Sequence, residues 1–241
     1  MDSVKSKRNE TLDSKTGLPP DSDLRGLGVR QIILKYHSHP SNKQYNLTRY
    51  NNGIVALSVA TFLSTAVQFC HDELRRGMEL VSVGSGDGYV ENEIMAAYRD
   101  RFKSEFKITL IDPEPSYAGK VDYKIVDELI QKRPGVVGNC SLFIIWPEIE
   151  YFGDGHYDLG AIRKLRPHAV LTVYETTGGS GSDNFCRFLD TDGLMEGSMP
   201  SKSDDDSELA DDYSIEEVAR ANVWISSIEM RLIKMVILRR K

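Results

Sequence analysis

Residues 79–94 read ELVSVGSGDGYVENEI, in which three glycines at alternate positions, Gly84, Gly86 and Gly88, directly follow an apolar run. Glycine inside a regular element costs roughly 0.5–1 kcal/mol relative to alanine, so a cluster of three requires a cause. A tight strand-to-helix turn, at which a ligand approaches the backbone closely, supplies one. The alternative is a loop that merely tolerates glycine. On the first interpretation, the stretch predicts a buried strand, a glycine turn and a helix.

The rest of the chain repeats this alternation of apolar runs and helical patterns. Further apolar runs are KITLID (107–112), SLFIIW (141–146) and AVLTVYE (169–175). Strands that are buried on both faces and alternate with helices indicate a parallel sheet. We therefore predict an α/β fold, a three-layer, doubly wound, mostly parallel sheet with an N-terminal helical extension. In such sheets ligands bind at the carboxyl ends of the strands.

Composition divides the chain into a tail and one domain. Residues 1–26 are polar and predict a flexible N-terminal tail, and residues 27–241 form the domain. Within the domain, residues 27–76 form the helical extension, with a helix from Leu47 to about Arg76. Residues 197–213, GSMPSKSDDDSELADDY, are acidic and predict a mobile insertion, with a lid over a site as the alternative.

The last part of the chain carries two further patterns. SIEEVARANVW (214–224) predicts a helix, in which Ser214 and Glu217 would form a capping box. RLIKMVILRRK (231–241) predicts a closing strand with a basic end.

The overall composition excludes several classes of protein. Of 241 residues, 40% are hydrophobic and 27% charged, as in ordinary globular proteins, and the net charge of −6 gives no global sign of a nucleic-acid partner. Three widely spaced cysteines argue against a disulfide framework or a zinc site, and His37 and His39 lie too close together to bind a metal unaided. No apolar run long enough for a membrane span and no signal-peptide core occur, so a soluble, cytoplasmic protein is predicted.

At the glycine turn the chain resembles the class I S-adenosylmethionine-dependent methyltransferases. Their first motif is an apolar strand followed by GxGxG, which LVSVGSGDG (80–88) matches. Their second strand ends in an acidic residue that binds the ribose hydroxyls of the cofactor, and Asp112 matches it. A carboxylate can accept two hydrogen bonds from a vicinal diol, so the chemistry agrees. The dinucleotide fingerprint GxGxxG would need glycine where Tyr89 stands, and the GK[ST] of a Walker loop is absent.

The resemblance implies S-adenosylmethionine as the cofactor and roles for particular residues. The implied cofactor-binding residues are Gly84, Ser85, Gly86, Gly88, Asp112, Asp127 and Trp146. Asp127 would lie near the adenine edge, or would instead cap the helix ELIQKR. Trp146 stands where methyltransferases of base amines carry Asp or Asn, which disfavours that reaction; it would form an aromatic wall with Tyr151, or belong to the core. Ser82 departs from the family, since many members carry an acidic residue there, near the methionine part of the cofactor.

The candidate catalytic residues are Glu148 and Glu175, which follow the third and fourth apolar runs. Each would orient or deprotonate a substrate group, or would be a solvated charge at a strand end. Methyl transfer is an in-line displacement on a sulfonium carbon, so positioning supplies much of the acceleration. A cap-type RNA ribose methyltransferase would use a lysine as base, and Lys35 with Glu175 could belong to such a set.

The leading hypothesis is therefore an S-adenosylmethionine-dependent methyltransferase whose acceptor, a small molecule, a protein or RNA, is unknown. A methyltransferase-like binding or scaffold protein without catalysis is the alternative, favoured by Ser82 and by the unusual Trp146-Pro147-Glu148 sequence. A cap-type RNA ribose methyltransferase is a narrower reading. An NAD-dependent oxidoreductase is disfavoured by the glycine spacing.

Overall fold

The computed structural model describes residues 61–86, 88–113, 121–147, 157–176, 180–189, 209, 211–224 and 230–241. The helices are α1 (Phe62–Arg75), α2 (Tyr89–Phe102), α3 (Val126–Lys132), α4 (Tyr157–Leu165) and α5 (Asp183–Leu189). The strands are β1 (Glu79–Val83), β2 (Ile108–Ile111), β3 (Cys140–Ile145), β4 (Ala169–Glu175), β5 (Tyr213–Trp224) and β6 (Met230–Arg240). A short 3-10 turn, Pro134–Val136, precedes β3. No helix in these ranges is long and apolar enough to cross a bilayer.

Six strands of the described chain form one sheet in the order β2-β1-β3-β4-β6-β5. Strands β1 to β4 are parallel, and β6 runs antiparallel to both of its neighbours. The chain steps from β1 outward to β2 and then crosses to β3 on the other side of β1. The strand order therefore reverses at β1, and ligands of open α/β sheets bind at such a reversal.

Helices cover both faces of the sheet. Helices α1 and α2 pack on one face, where Phe69 of α1 meets Phe143 of β3 edge-on with ring centroids 5.3 Å apart. Helices α3, α4 and α5 pack on the other face, where Leu159 and Phe185 lie in one cluster with Leu142. Alternate residues of β3 and β4 contribute to the two clusters, so both strands are buried along their whole length and are mostly apolar. The predicted three-layer α/β fold is confirmed.

The amino-terminal edge of the parallel strands is joined by one buried carboxylate. Glu73, near the end of α1, is fully buried, and its Oε2 accepts hydrogen bonds from Ser141 Oγ at 2.7 Å and His168 Nδ1 at 2.8 Å. Its Oε1 lies 3.0 Å from Arg76 and 3.2 Å from Arg239. Glu73 thus ties α1 to β3, to the start of β4 and to the end of β6.

The predicted helix over residues 214–224 is wrong, because this segment is the strand β5. Glu217 pairs with Val236 and Ala219 with Met235, so Val218 is an extra residue in a β-bulge. A bulge shifts the two-residue alternation by one, and the apolar spacing then imitates a helix. Ser214 Oγ donates to the carbonyl of Arg239 instead of capping a helix. The predicted closing strand is confirmed as β6.

Several of the segments predicted from the sequence lie only partly within the described residues. The described part of the predicted helix 47–76 is α1, and the chain turns at Gly77, which has a positive φ of 79°. Between β2 and α3, Tyr123 forms a single parallel bridge with Ile111. The tail 1–26, most of the extension 27–76, residues 35, 37 and 39, and most of the insertion 197–213 lie outside the described residues. Of the insertion, Leu209 is buried and Tyr213 begins β5.

Candidate functional site

The glycine turn lies between β1 and α2, at the carboxyl edge of the sheet. Gly84, Gly86 and Gly88 have φ values of 73°, 58° and 75°. This left-handed region costs other residues roughly 1–2 kcal/mol, so all three positions favour glycine. The backbone N–H groups of Gly84 and Ser85 both donate to the carbonyl of Ile111, at 2.9 and 3.2 Å. The turn is therefore fastened to the end of β2.

The glycines of this turn have different surroundings. Gly88 immediately precedes α2, and a Cβ there would lie 2.6 Å from Leu110 Cδ1 of β2, so the missing side chain permits close packing on the neighbouring strand. At Gly86, no heavy atom of the described residues lies within 4 Å of where a Cβ would be. Close packing accounts for Gly88, whereas the space over Gly86 is open to a ligand.

Alanine at Gly88 should therefore destabilise the fold more than alanine at Gly86. Both substitutions incur the backbone cost of about 1–2 kcal/mol, and Gly88→Ala adds a clash with Leu110, for a total of about 2–3 kcal/mol. Urea denaturation of the two variants measures the difference. The double variant Gly88→Ala/Leu110→Ala should remove the clash component. Equal losses for the two single variants would contradict the close packing.

Asp112 follows β2 and faces the glycine turn. Its Oδ2 accepts a hydrogen bond from the backbone N–H of Gly86 at 2.7 Å, and only 5% of the residue is exposed. Its own N–H donates to the carbonyl of Tyr123 at 3.2 Å. A carboxylate can accept about four hydrogen bonds, so the bond to Gly86 is compatible with further hydroxyl donors. The structure thus brings Asp112 and the turn together.

Trp146 follows β3 on the other side of β1. Its φ is +53°, a conformation that costs a large residue about 1–3 kcal/mol and occurs mostly at functional sites. Because of this turn, the consecutive residues Ile145 and Trp146 both join the cluster under α1 and α2. Trp146 is 6% exposed, and its indole Nε1 is buried without a hydrogen-bond partner in the described part of the chain. An unpaired buried donor costs about 1–3 kcal/mol, so the residue departs from ordinary core behaviour twice.

Glu175 ends β4, next to β3, at the same edge of the sheet. It is fully buried, so the interpretation as a solvated strand-end charge is wrong. Its backbone N–H donates to Ser180 Oγ at 2.7 Å. Glu148 and Tyr151 lie outside the described residues. A catalytic role for either glutamate stays a prediction.

Asp127 occupies a different environment from the other predicted residues. It is 59% exposed and forms an ion pair with Lys164 of α4, with Nζ and Oδ2 2.7 Å apart. Helix α3 begins at Val126 with Ile125 as its N-cap, so the capping alternative for Asp127 is wrong. Its carboxylate instead lies in the first turn, where it complements the helix dipole. A role at the adenine edge stays a prediction.

Two buried polar contacts near this edge were missed from the sequence. Ser82 Oγ donates to Glu91 Oε1 at 2.5 Å, so the serine that departs from the family motif has a carboxylate from α2 beside it. On the other face, Asp158 at the start of α4 accepts from the N–H and the hydroxyl of Ser182, at 2.9 and 3.1 Å. The sequence did contain a signal for the buried position of Glu91. This charged residue lies one helical turn after the glycines, on the same side of α2 as the apolar Ile94.

The buried cysteines form no reactive site, and the described acidic and histidine side chains form no metal-binding site. Cys70 and Cys140 are buried and have free thiols, and burial raises the pKa of the Cys140 thiol to about 12, so it stays protonated and unreactive. Among the described residues, no group of three or more His, Cys, Asp or Glu side chains could hold a metal ion.

Comparison with known proteins gives likenesses at the level of structure. No protein-family model matches the sequence, and no curated protein matches it. A Thermoplasma acidophilum protein aligns at 14% identity and a TM-score of 0.37, over 80% of this chain and 97% of that one. The methyltransferase domain of a bacterial Hen1 aligns at 14% identity and 0.33, over 73% and 99%. A plantazolicin methyltransferase, solved with S-adenosylhomocysteine, aligns at 11% identity and 0.36, over 88% and 98%.

Such identities and TM-scores are too low to carry a function from these proteins to this chain. What the coordinates themselves define is an α/β protein with a doubly wound sheet. Its glycine turn and a buried aspartate meet at the point where the strand order reverses. The function has to be inferred from that site.

Proposed function

We propose that this chain is an S-adenosylmethionine-dependent methyltransferase. The observation that carries the proposal is the contact between Asp112 and the backbone of Gly86, at 2.7 Å, beside the open space over that glycine. A carboxylate held at a glycine turn suits the hydroxyls of a ribose, and the first N–H groups of α2 have no acceptor within the helix. In open α/β sheets, ligands bind at the carboxyl ends of the strands where the strand order reverses, which here is at β1 and β3.

The residues present fit the cofactor in three respects. The turn leaves space at Gly86, Asp112 supplies an acceptor for the sugar, and Trp146 supplies a buried donor that lacks a protein partner in the described chain. When bound, the cofactor supplies an electrophilic methyl group on a sulfonium centre. The chain's part is to bind and orient the reactants and to exclude water, since positioning supplies much of the rate. Glu175 or Glu148 would orient or deprotonate the acceptor.

A binding protein that holds the cofactor without transferring its methyl group is the second candidate. Ser82 and the sequence Trp146-Pro147-Glu148 favour it, because both depart from the methyltransferase pattern. The proposal includes an acceptor that is a small molecule, a protein or RNA, and a cytoplasmic location. The narrower hypothesis of a cap-type RNA ribose methyltransferase depends on Lys35, which lies outside the described residues.

Calorimetric titration tests the proposal. We expect S-adenosylmethionine and S-adenosylhomocysteine to bind with micromolar affinity, and NADH not to bind. Failure of the folded protein to bind either adenosyl compound would overturn the proposal, and NADH binding would favour an oxidoreductase. Labelled methyl transfer into RNA, protein and small-molecule extracts then separates the two candidates, because a binding protein labels none of them.

A further inference from the structure

The polar residues around the ends of β1 and β3 lie on one face of the sheet. Ser82 pairs in register with Phe143, which is in the cluster under α1 and α2 together with Trp146. Ser82 alternates with Val81 and Val83 of the opposite cluster, so its side chain points to the α1–α2 face as well. Val90, next to Glu91, belongs to the same cluster as Trp146. Adjacent strands are about 4.8 Å apart and a strand rises about 3.3 Å per residue, so Trp146, three residues beyond Phe143, lies about 10 Å further along β3 than the position level with Ser82.

Glu91 places a carboxylate on this face of the sheet. It is the third residue of α2 and only 2% exposed, and Ser82 Oγ donates to it at 2.5 Å. In a water-poor surrounding a carboxylate attracts a cation much more strongly than it does in water. Glu91 is therefore suited to a positively charged group of a ligand.

Trp146, in contrast to Glu91, is suited to a negatively charged group. Indole Nε1 can only donate, and in Trp146 it is buried without a partner in the described chain. The strained φ of +53° goes with a ring that packs in the cluster on the α1–α2 face. A donor of this kind is suited to an oxygen anion. Together, Glu91 and Trp146 complement a molecule that carries a cation and a carboxylate close together.

Resting on the proposed function, we propose that Trp146 and Glu91 recognise the amino-acid end of the bound nucleoside. The indole N–H donates to the α-carboxylate, Glu91 accepts from the α-ammonium, and Ser82 positions Glu91. A sugar at Asp112 lies two strands from Trp146, about 10 Å, which a chain extending from its 5′ carbon spans across the tip of β1. The site would thereby distinguish nucleosides that carry an amino acid from those that do not.

The experiment compares two ligands on one set of variants. S-Adenosylhomocysteine carries the amino acid, and 5′-methylthioadenosine keeps the nucleoside and the thioether without it. Trp146→Phe keeps most of the ring packing and removes the N–H. We expect this variant to bind S-adenosylhomocysteine about tenfold or more weakly than the wild type, and to bind 5′-methylthioadenosine with unchanged affinity. Tyr98→Phe, which removes a hydroxyl from the same apolar cluster, is the matched control and should change neither affinity.

Glu91→Gln and Ser82→Ala extend the test, with circular dichroism and thermal melting as checks of folding. Both variants should lower the ratio of the affinity for S-adenosylhomocysteine to the affinity for 5′-methylthioadenosine. The decrease should be smaller for Ser82→Ala. Melting of ligand-free Trp146→Phe gives an independent readout, because removal of an unpaired buried donor should leave the melting temperature unchanged or raise it.

Equal weakening of both ligands, or an unchanged ratio in Trp146→Phe and Glu91→Gln, would overturn the inference while leaving the proposed function intact. If the wild type binds neither ligand, the proposed function is overturned and the inference with it. A clear fall in the melting temperature of Trp146→Phe at an unchanged ratio would make Trp146 a packing residue.

Discussion

Replacement of Asp112 by asparagine should weaken the binding of S-adenosylmethionine by about 100-fold. Hydrogen bonds to a charged group are worth about 1.5–3 kcal/mol, and the amide loses the charge and half of the acceptor sites offered to a diol. The amide oxygen can still accept from Gly86 N–H, which Asp112 Oδ2 contacts at 2.7 Å, so the turn should remain closed. Titration calorimetry measures the affinity, and thermal melting checks that the variant is folded.

Asp122→Asn is the matched control for this substitution. Asp122 is an aspartate on the flank of β2 that contacts Lys107 and the N–H of Leu110, away from the glycine turn. We expect its replacement to leave the affinity unchanged. An Asp112→Asn protein that binds the cofactor as tightly as the wild type would remove the main support for the proposed function.

The second large effect concerns stability, at the opposite edge of the sheet. Glu73→Gln should lower the free energy of unfolding by about 3 kcal/mol, because loss of one partner from a buried ionic cluster leaves the others uncompensated. The amide also turns a donor toward groups that themselves donate, among them Ser141 Oγ and His168 Nδ1. Urea denaturation measures the loss. Glu79→Gln, which breaks a half-exposed pair with Arg133, should cost no more than about 1 kcal/mol.

The same carboxylate predicts how stability depends on pH. Burial alone would raise the pKa of Glu73, but hydrogen bonds from Ser141 and His168, the charge of His168 and a hydrogen bond from Arg239 together lower it below the ordinary value for glutamate. Because the pKa is lower in the folded state, the stabilisation is present above the unfolded pKa, near 4.3 as a rough value, and is lost as the pH falls through the folded pKa.

Denaturation curves over about pH 2–7 test this dependence. The wild type should lose stability more steeply on acidification than Glu73→Gln, so that the two proteins converge at low pH. Parallel pH profiles for the two proteins would show that Glu73 does not titrate in the way its contacts require.

Features coded by neighbouring residues could be predicted from the sequence. The apolar run and glycines of residues 79–88 specify a strand and a turn locally, and the next apolar run carries Asp112 to the adjacent strand tip. Parallel strands joined through helices then bring these tips together without further information. The parallel strands of the sheet and the contact between the glycine turn and Asp112 followed from such local signals.

Features that depend on distant residues could not be predicted. Glu73 and its partner Arg239 are separated by 166 positions, and no periodicity links them. The positive φ of Trp146 comes from its surroundings, because tryptophan has no intrinsic preference for it. In β5 a single extra residue, Val218, erased the alternation by which a strand is recognised. Tertiary contacts decided all three cases.

The same bulge has a consequence for solubility. Strand β5 lies at one border of the sheet in the described part of the chain, and the border of an edge strand can pair with a strand from another molecule. The bulge bends that border, and the side chains of Glu216, Glu217 and Arg220 place charges along it. Both features oppose the docking of a further strand. The irregularity that gave β5 a helix-like apolar pattern is thus also expected to oppose pairing between the edges of two molecules.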